Sequence, residues 1–335
     1  MRVLRHTEQL PPELRGAVVA IGNFDGIHRG HQAVMARAGR LAHELEAPLG
    51  VITFEPHPRR FFRPQDPEFR LTPFRLKARL IEALGVELLV VLRFDAAFAG
   101  ISAEDFVQSV LVEGLAARHV VVGDNFRFGH RRSGDVALLE KLGRSGGFGV
   151  TALSRVVGAG DQPFSSSLVR DYLTAGNPTR AGLLLGRYWE IVGRVIKGDQ
   201  RGRELGYPTA NLQLGPILQP AYGVYAVRAG IDQGAETHWH AGAANLGIRP
   251  MFETPRPLLE VNLFDFEGDL YGRQLRVALV DFLRPEENFD SLEALKEQMA
   301  EDCRRARASL AYEQWDASWP ASPFMAAEPA LKDQG

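Results

Sequence analysis

The first half of the chain alternates short, continuous apolar runs with stretches in which apolar residues recur every three or four positions. Continuous runs are typical of strands buried on both faces of a sheet, whereas the wider spacing predicts amphipathic helices. The run Ala17–Ile21 is the first such strand, and the apolar stripe from Val34 to Leu45 predicts the helix that follows it. Strands separated by helices of this length form right-handed βαβ units, so we expect a parallel sheet. The remaining predictions are strands at 49–54, 87–92 and 119–122, helices at 75–84 and 103–113, and a helix–strand pair within 135–153.

This alternation ends near residue 187. From there to about residue 285 the chain consists of short β-rich runs separated by glycine, proline and asparagine, without helical spacing between them. Closely spaced strands of this kind predict an antiparallel barrel or sandwich. One long helix closes the pattern, with Asp290 as its predicted N-cap and Glu293 as the capping-box partner.

The change of pattern divides the chain into two predicted domains. The length of 335 residues agrees with this division, because it exceeds what one ordinary hydrophobic core serves. The segment Thr174–Arg187 is the predicted junction. We therefore expect domains at 1–185 and 187–312, followed by a disordered tail at 316–335 that is rich in alanine, proline and serine.

Composition and charge narrow the function classes. A net charge of −2 provides no global basic field of the kind that nucleic-acid-binding proteins carry, although local basic loops around a phosphate remain compatible with it. The single cysteine, Cys303, precludes an intrachain disulfide and fits a reducing compartment. No apolar stretch approaches the length of a membrane span. We therefore expect a cytoplasmic protein that binds neither nucleic acid nor membrane.

The sequence GNFDGIHRGH at 22–31 lies between the first predicted strand and the first predicted helix. An open α/β sheet binds its ligand at this place, and the N–H groups of a helix start attract phosphate. Gly22, Gly26 and Gly30 allow the backbone to approach a phosphate closely. Together with Gly30, His28 and His31 resemble the H-x-G-H signature of nucleotidylyltransferases. The sequence contains neither a P-loop motif nor G-x-G-x-x-G.

Two imidazoles suit nucleotidyl transfer, which builds negative charge on the oxygens of an α-phosphate. Because no covalent intermediate is needed, catalysis depends on positioning and on hydrogen-bond donors directed at that charge. The alternatives are two ordinary surface histidines in a turn, or a metal-binding pair. A zinc site would require further ligands such as cysteine, and none is evident nearby.

The segment GRVIKGDQRGRELGYPTANL at 193–212 combines four glycines with four basic residues. Such a loop turns tightly and offers backbone N–H groups to a nucleotide. Thr209 and Asn211 alternate, so on an extended strand both side chains lie on one face. A hydroxyl and an amide oxygen suit Mg²⁺ that shares its ligands with phosphate and water. A plain glycine-rich hairpin with polar capping explains the composition equally well.

Glu260 is a lone acid in the apolar run LLEVNLFDF. On a strand, Leu259 and Val261 face one way and Glu260 faces the other. A carboxylate in this position is either an outward-facing surface residue or a general base.

The motifs at 22–31 and 193–212 resemble, in the same order, those of the bacterial bifunctional riboflavin kinase/FMN adenylyltransferases, also called prokaryotic FAD synthetases. The resemblance covers roughly residues 15–310. It implies a Rossmann-like nucleotidylyltransferase domain with a parallel sheet, followed by an antiparallel, riboflavin kinase-like β-barrel with a terminal helix. The other similar segments are FEPHPRRFF (54–62), VGDNFRFGHRRSGD (122–135), SSSLVRDYL (165–173), AYGVYAV (221–227), NLGIRPMF (245–252), LLEVNLFDFEGDLYGRQL (258–275) and FLRPEENFDSLEALKEQMAEDCRRAR (282–307).

The resemblance also implies an activity and a role for individual residues. The enzyme would phosphorylate riboflavin to FMN and adenylylate FMN to FAD, with ATP as co-substrate and Mg²⁺ as cofactor. The implied catalytic residues are His28, His31 and Glu260; the ATP-binding residues are Gly22, Phe24, Asp25, Gly30, Ser166, Ser167, Arg170, Gly198 and Gly202; the flavin-binding residues are His57, Phe62, Asn125 and Phe128; and the metal ligands are Thr209 and Asn211.

Several alternatives stay open on the sequence. Phe62 and Phe128 suit core packing as well as flavin binding. The serines before Arg170 suit helix capping as well as phosphate binding, and Arg170 itself could be a surface charge. For the whole chain the alternatives are a single live activity, a non-enzymatic flavin-binding sensor, or adenylylation of another mononucleotide; self-association is also left open. Two departures from the family pattern, Met251 and a shortened glycine-rich loop, leave the nucleotide contacts of that loop unassigned.

Overall fold

The structure of the protein, a computed structural model, describes residues 1–8, 10–158, 161–198, 206–233, 236–248 and 257–311. The described residues divide into two compact units. The first comprises Met1–Asp66 and Phe74–Phe164, and the second comprises Pro67–Pro73 with the described residues from Ser165 onward. Gly202, Met251 and the predicted tail at 316–335 lie outside the described residues.

A six-stranded parallel sheet in the order β1-β4-β3-β2-β5-β6 forms the centre of the first unit. β2 is buried at every position and β4 at all but its last, which explains why their sequences are continuous apolar runs. The predicted parallel α/β sheet is confirmed. Its strands are β1 (Arg2–Leu4), β2 (Val18–Ile21), β3 (Leu49–Glu55), β4 (Leu88–Arg93), β5 (His119–Gly123) and β6 (Gly149–Leu153).

Helices connect these strands and cover the sheet. The predicted single helix at 103–113 is instead a short α-helix that continues as a π-helix over Val107–Gly114. The α-helices of this unit are α1 (Arg29–Glu44), α2 (Pro58–Phe62), α3 (Phe74–Glu82), α4 (Ala96–Ala99), α5 (Ala103–Phe106) and α6 (Val136–Gly146).

β2 is the point at which the strand order reverses. The chain leaves β2 toward β3 and β4 on one side, whereas β5 and β6 lie on its other side. Ligands of open α/β sheets bind outside the carboxyl ends of the strands at such a switch point. The segments that follow β2, β3 and β5 all reach this edge, because neighbouring strands of the sheet are parallel.

The second unit contains a closed six-stranded barrel in the order β10-β11-β8-β7-β12-β9. All of its paired strands are antiparallel, so the predicted antiparallel barrel is confirmed. Alternate residues such as Leu259 and Val261 are fully buried, as expected for strands that turn one face toward a barrel core. The strands are β7 (Trp189–Ile196), β8 (Ala210–Gln213), β9 (Gly223–Gln233), β10 (Glu236–Ile248), β11 (Pro257–Leu263) and β12 (Gln274–Pro285).

In the described part of this unit, three helices accompany the barrel: α7 (Ser166–Thr174), α8 (Pro178–Leu185) and α9 (Leu292–Ala311). α8 packs against β7 and β12, and α7 packs against α8, so both helices belong to the second unit. The prediction of Asp290 as the N-cap of the last helix was wrong. The hydroxyl of Ser291 accepts a hydrogen bond from the N–H of Ala294 at 3.1 Å, which is the N-cap pattern shifted by one residue.

Candidate active sites

The loop after β2 is held in a compact conformation at the switch point. The N–H of Gly22 donates to the carbonyl of Ile52 at 3.1 Å, so the loop continues the pairing with β3. Phe24 has a positive φ of 49° and is buried beneath the loop. A Cβ at Gly22 would lie 3.0 Å from the ring of Phe24, and Gly26 has a φ of 86°. Glycine at both positions therefore lets the backbone turn closely over the Phe24 ring.

His28 and His31 are brought together at the start of α1. The imidazole rings stack with centroids 3.6 Å apart, and the ring of Phe24 meets His31 edge-on. His28 is the N-cap of α1, where its Nδ1 accepts a hydrogen bond from the N–H of His31 at 3.3 Å. Because Nδ1 is an acceptor, a neutral His28 carries its proton on Nε2 and can donate through that atom. A Cβ at Gly30 would lie 3.1 Å from the His28 ring, so Gly30 makes room for the pair.

The segments after β3 and β5 contribute the residues predicted to bind flavin. His57 follows β3 and caps α2, because its Nδ1 accepts a hydrogen bond from the N–H of Arg59 at 3.1 Å. Phe62 ends α2 with 65% of its surface exposed and meets Phe94 edge-on. Asn125 follows β5 and is exposed. Each of these side chains follows a strand whose carboxyl end lies at the same edge as the histidine loop.

Phe128 has a different environment. It is only 7% exposed and packs against Phe106 and Phe126 in the core of the first unit. This placement favours the core-packing alternative for Phe128.

The serines and the arginine predicted to bind ATP phosphates lie at the start of α7, in the second unit. Ser165 is the N-cap, and its hydroxyl accepts a hydrogen bond from the N–H of Leu168 at 3.2 Å. Ser166 and Ser167 are therefore the first two residues of the helix, with Ser167 exposed. Arg170 is half-buried; its Nε donates to the carbonyl of Phe69 at 2.7 Å, and its guanidinium lies over the Phe69 ring.

Glu260 lies near the middle of β11 with two asparagines opposite it. The strand register pairs Glu260 with Asn211 on β8 and with Asn245 on β10. Residues directly opposite in antiparallel strands have Cβ atoms about 4.5–5.5 Å apart and point to the same face. The carboxylate is half-buried and lies on the opposite face from Leu259 and Val261. The barrel thus places one carboxylate between two amides.

Asn211 is the residue best suited to hold a cation. It is 5% exposed, and its Oδ1 has no hydrogen-bond partner among the described residues. Its Nδ2 donates to the carbonyl of Thr209 at 3.4 Å, which turns Oδ1 away from that carbonyl. Gly198 lies against this amide, because a Cβ there would be 2.4 Å from Nδ2. A buried amide oxygen with no donor is costly unless a ligand satisfies it, and Mg²⁺ prefers oxygen ligands of this kind.

Two further polar residues of this region were not predicted. Asn262 donates from Nδ2 to the carbonyl of Pro208 at 2.8 Å and so ties the residue before Thr209 to β11. Asn245 donates to Glu286 at 3.4 Å, and burial together with Glu286 raises the pKa of Tyr222. The alternation of Glu260 and Asn262 in the sequence is a signal that could have identified Asn262. The register of β10 against β11, which reveals Asn245, is not visible in the sequence.

Within the described residues, no group of three or more His, Cys, Asp or Glu side chains is arranged to hold a metal ion. Among these residues, His28 and His31 therefore do not belong to such a group. No helix in the described part of the chain is both long and apolar enough to span a membrane.

Comparison with known proteins gives a family match for each of the two parts of the chain. The FAD synthetase family matches residues 10–168, and the riboflavin kinase family matches residues 185–310. A bifunctional riboflavin kinase/FMN adenylyltransferase from Pseudomonas fluorescens is 44% identical over 93% of this chain and 98% of its own length. The protein of the same description from Escherichia coli strain K12 is 40% identical over 92% of this chain and 96% of its own.

The chain belongs to the bifunctional riboflavin kinase/FMN adenylyltransferase family. Both enzyme domains of this family are present, in the order that the sequence motifs predict. The histidine loop lies within the FAD synthetase match, and Asn211 and Glu260 lie within the riboflavin kinase match. A solved chain from Streptococcus pneumoniae, titled a macrolide-efflux protein, is similar in structure to this family member. Its TM-score is 0.82 at 29% identity, over 94% of this chain and 99% of that one.

Proposed function

We propose that this protein phosphorylates riboflavin to FMN with one ATP and transfers the AMP moiety of a second ATP to FMN, forming FAD and releasing pyrophosphate. Kinase activity is assigned to the barrel unit and adenylylation to the α/β domain. The observation that carries the proposal is the presence in one chain of both family domains, each with a chemically competent cluster. These clusters are the stacked imidazoles of His28 and His31, and Glu260 beside Asn211.

In the adenylylation step, an oxygen of the FMN phosphate attacks the α-phosphorus of ATP, and the bond to pyrophosphate breaks. The two imidazoles donate hydrogen bonds to the phosphate oxygens as negative charge builds on them. His28 is prepared for this role because its Nδ1 is occupied by the N–H of His31, which leaves Nε2 as the donor. The positive end of the α1 dipole adds to the attraction for phosphate.

Residues of the family motifs are assigned to substrate binding in this step. We assign ATP phosphate binding to Ser166, Ser167 and Arg170, whose hydroxyls and guanidinium are suited to anions. The Gly22 loop, with Phe24, Asp25 and Gly30, supports the nucleotide. His57, Phe62 and Asn125 border the flavin, and the exposed ring of Phe62 offers it a stacking surface.

In the kinase step, a terminal hydroxyl of the ribityl chain attacks the γ-phosphorus of ATP, and ADP leaves. Glu260 accepts the proton of that hydroxyl as the general base. The hydroxyl of Thr209 and the orphaned Oδ1 of Asn211 would hold Mg²⁺. ATP binding in this step is assigned to Gly198 and Gly202 of the glycine-rich loop. Bound Mg²⁺ neutralises charge on the phosphates.

We also infer a cytoplasmic location. Both steps consume ATP. The single cysteine of the chain cannot form an intrachain disulfide, which fits a reducing compartment.

The test is direct turnover. Purified protein is incubated with riboflavin and MgATP, and the products are separated by chromatography. We expect FMN first and FAD second, both dependent on ATP and both abolished when excess EDTA removes divalent cations. Formation of neither flavin nucleotide would refute the assignment, and FMN without FAD would leave only the kinase.

A further inference from the structure

Lys77 is a buried cation that the mechanism above does not use. It lies on α3, its side chain is fully buried, and its Nζ donates to the carbonyl of Asn23 at 3.0 Å. The same ammonium pairs with Oε1 of Glu55 at 3.2 Å. Burying a charge is costly unless it is paired and hydrogen-bonded. The contacts with Asn23 and Glu55 offset the cost of burying the Lys77 ammonium.

The two partners of Lys77 belong to the two loops of the adenylylation site. Asn23 lies in the loop after β2, immediately before Phe24. Glu55 ends β3 and comes two residues before His57. One ammonium therefore ties the loop assigned to ATP to the loop assigned to flavin, at the edge where the strand order reverses.

The carbonyl of Asn23 has a second buried donor. The hydroxyl of Thr53 on β3 donates to it at 3.2 Å, and Thr53 is also fully buried. A trans peptide is planar with its C=O and N–H antiparallel, so two donors that hold the Asn23 carbonyl inward turn the N–H of Phe24 the opposite way. Lys77 and Thr53 thus fix the direction of a peptide whose next residue has the unfavourable positive φ.

We propose that Lys77, together with Thr53, is a positioning residue of the adenylylation site: the pair fixes the Asn23–Phe24 peptide so that its N–H is directed at substrate phosphate. This inference rests on the proposed FMN adenylyltransferase activity. Lys77 itself does not contact substrate. Loss of Lys77 or of the Thr53 hydroxyl would misdirect the N–H of Phe24. Because this donor matters most when negative charge develops on the phosphate in the transition state, its loss would lower kcat more than it raises KM.

The first arm of the test separates this role from charge compensation. Lys77→Met alone removes the ammonium that pairs with the half-buried Glu55 and is expected to lower thermal stability. In the double variant Lys77→Met/Glu55→Gln neither charge remains, so stability should return toward that of the wild type. We expect FAD synthesis from supplied FMN to stay reduced in kcat by about tenfold or more, because the Asn23 carbonyl still lacks its charged donor.

The second arm avoids charge altogether. Thr53→Val removes the hydroxyl at nearly constant volume, and Thr53→Ser retains it. We expect Thr53→Val to lower kcat for FAD synthesis by about three- to tenfold, from the loss of one neutral hydrogen bond, and Thr53→Ser to behave like the wild type.

Riboflavin phosphorylation by the same preparations is the internal control, since Lys77 and Thr53 lie in a different unit from Glu260. Recovery of FAD synthesis together with stability in Lys77→Met/Glu55→Gln would overturn the inference, as would equal kcat values for Thr53→Val and Thr53→Ser. A wild-type protein that makes no FAD from FMN would instead remove the proposed function.

Discussion

The amide of Asn211 illustrates how one side chain is constrained from several directions. Its Nδ2 is engaged by the carbonyl of Thr209, its strand neighbour across the ladder is Glu260, and Gly198 closes the remaining side. This leaves Oδ1 as the one polar atom of the side chain available to a cation. The absence of a Cβ at Gly198 is therefore part of the proposed metal site.

Gly198→Ala tests that constraint. The added methyl would lie 2.4 Å from Asn211 Nδ2, so the amide must shift and Oδ1 must move with it. We expect the Mg²⁺ concentration for half-maximal riboflavin phosphorylation to rise and kcat to fall by about tenfold or more, while FAD synthesis from FMN is unchanged. Gly215→Ala is the matched control, because a Cβ there meets nothing within 4 Å. Equal metal dependence in the two variants would contradict this account of Gly198.

Some of the candidate site could be predicted from neighbouring residues, and some could not. The alternation around Glu260 and the glycine-framed histidines are local patterns, and the structure brings both into the arrangements described above. The contacts of Lys77 with Asn23 and of Asn245 with Glu286 join segments far apart in sequence. Such pairings depend on strand order and register, which hydrophobic periodicity does not specify.

At the scale of elements, β5 and β6 are joined by a polar contact as well as by their ladder. Nε2 of His119 on β5 and the hydroxyl of Thr151 on β6 are 2.8 Å apart. Burial lowers the pKa of His119 below its ordinary value, and the charge of Arg37 lowers it further. Between the folded pKa and the unfolded value of 6.5, the unfolded state binds more protons, so stability falls as the pH drops through this window.

His119→Gln should remove the part of the pH-dependent stability that comes from His119, while keeping a polar group near Thr151. We expect hydrogen-exchange protection of the β5 and β6 amides, corrected for intrinsic rates, to fall less between pH 7.5 and pH 5.5 in His119→Gln than in the wild type. His43→Gln, at an exposed position on α1, serves as the control and should retain the wild-type difference. A difference that is unchanged in His119→Gln would exclude this histidine as its source.

A buried charge cluster links two barrel strands. Arg276 on β12 makes a two-point contact with Glu190 on β7, and both residues are buried. Arg187 is nearby; burial lowers its pKa to about 10, the charge of Glu190 opposes the shift, and the charge of Arg276 adds to it. One carboxylate therefore serves two guanidinium groups.

Substitutions of Glu190 and of Arg276 should therefore lower the free energy of unfolding by different amounts. Glu190→Gln removes the two-point partner of Arg276, whose other ion pair, with Asp232, is longer at 3.8 Å. We expect this substitution to lower the free energy of unfolding by about 3–5 kcal/mol. Arg276→Met should cost less, because Arg187 remains to neutralise Glu190. Trp189 and Trp239 lie on β7 and β10, so urea unfolding monitored by tryptophan fluorescence follows these barrel strands. Equal destabilisation by the two substitutions would contradict the assignment of Glu190 as the shared partner.

Elements with strong periodicity were predictable, and those determined by tertiary contacts were not. β2 and β4 are continuous apolar runs because both faces are covered. β1 was not predicted: its three residues carry no buried run, and it forms only by pairing with β4. The π-helix at Val107–Gly114 has ordinary helical spacing in sequence, and its wider hydrogen-bonding pattern has no sequence signal that we recognise.

At the scale of the whole molecule, the groups proposed to carry out the chemistry of the two reactions lie in separate units. His31 belongs to the first unit and Glu260 to the second. Nothing in the proposed chemistry of one step requires a residue assigned to the other. The central claim is therefore that each activity can be removed alone.

Complementation between two single variants tests this claim most directly. Glu260→Gln should lose riboflavin phosphorylation by about 10²–10⁴-fold, as expected for removal of a general base, yet make FAD from supplied FMN. His31→Ala should form FMN from riboflavin and fail to form FAD. Glu267→Gln, at an exposed position of the barrel unit, is the control and should retain both activities.

The decisive measurement is FAD formation from riboflavin and MgATP by an equimolar mixture of Glu260→Gln and His31→Ala. Neither variant alone should produce FAD from riboflavin, and the mixture should, because FMN released by one is adenylylated by the other. Loss of both activities in either folded variant, or a mixture that accumulates FMN without FAD, would contradict two independent sites.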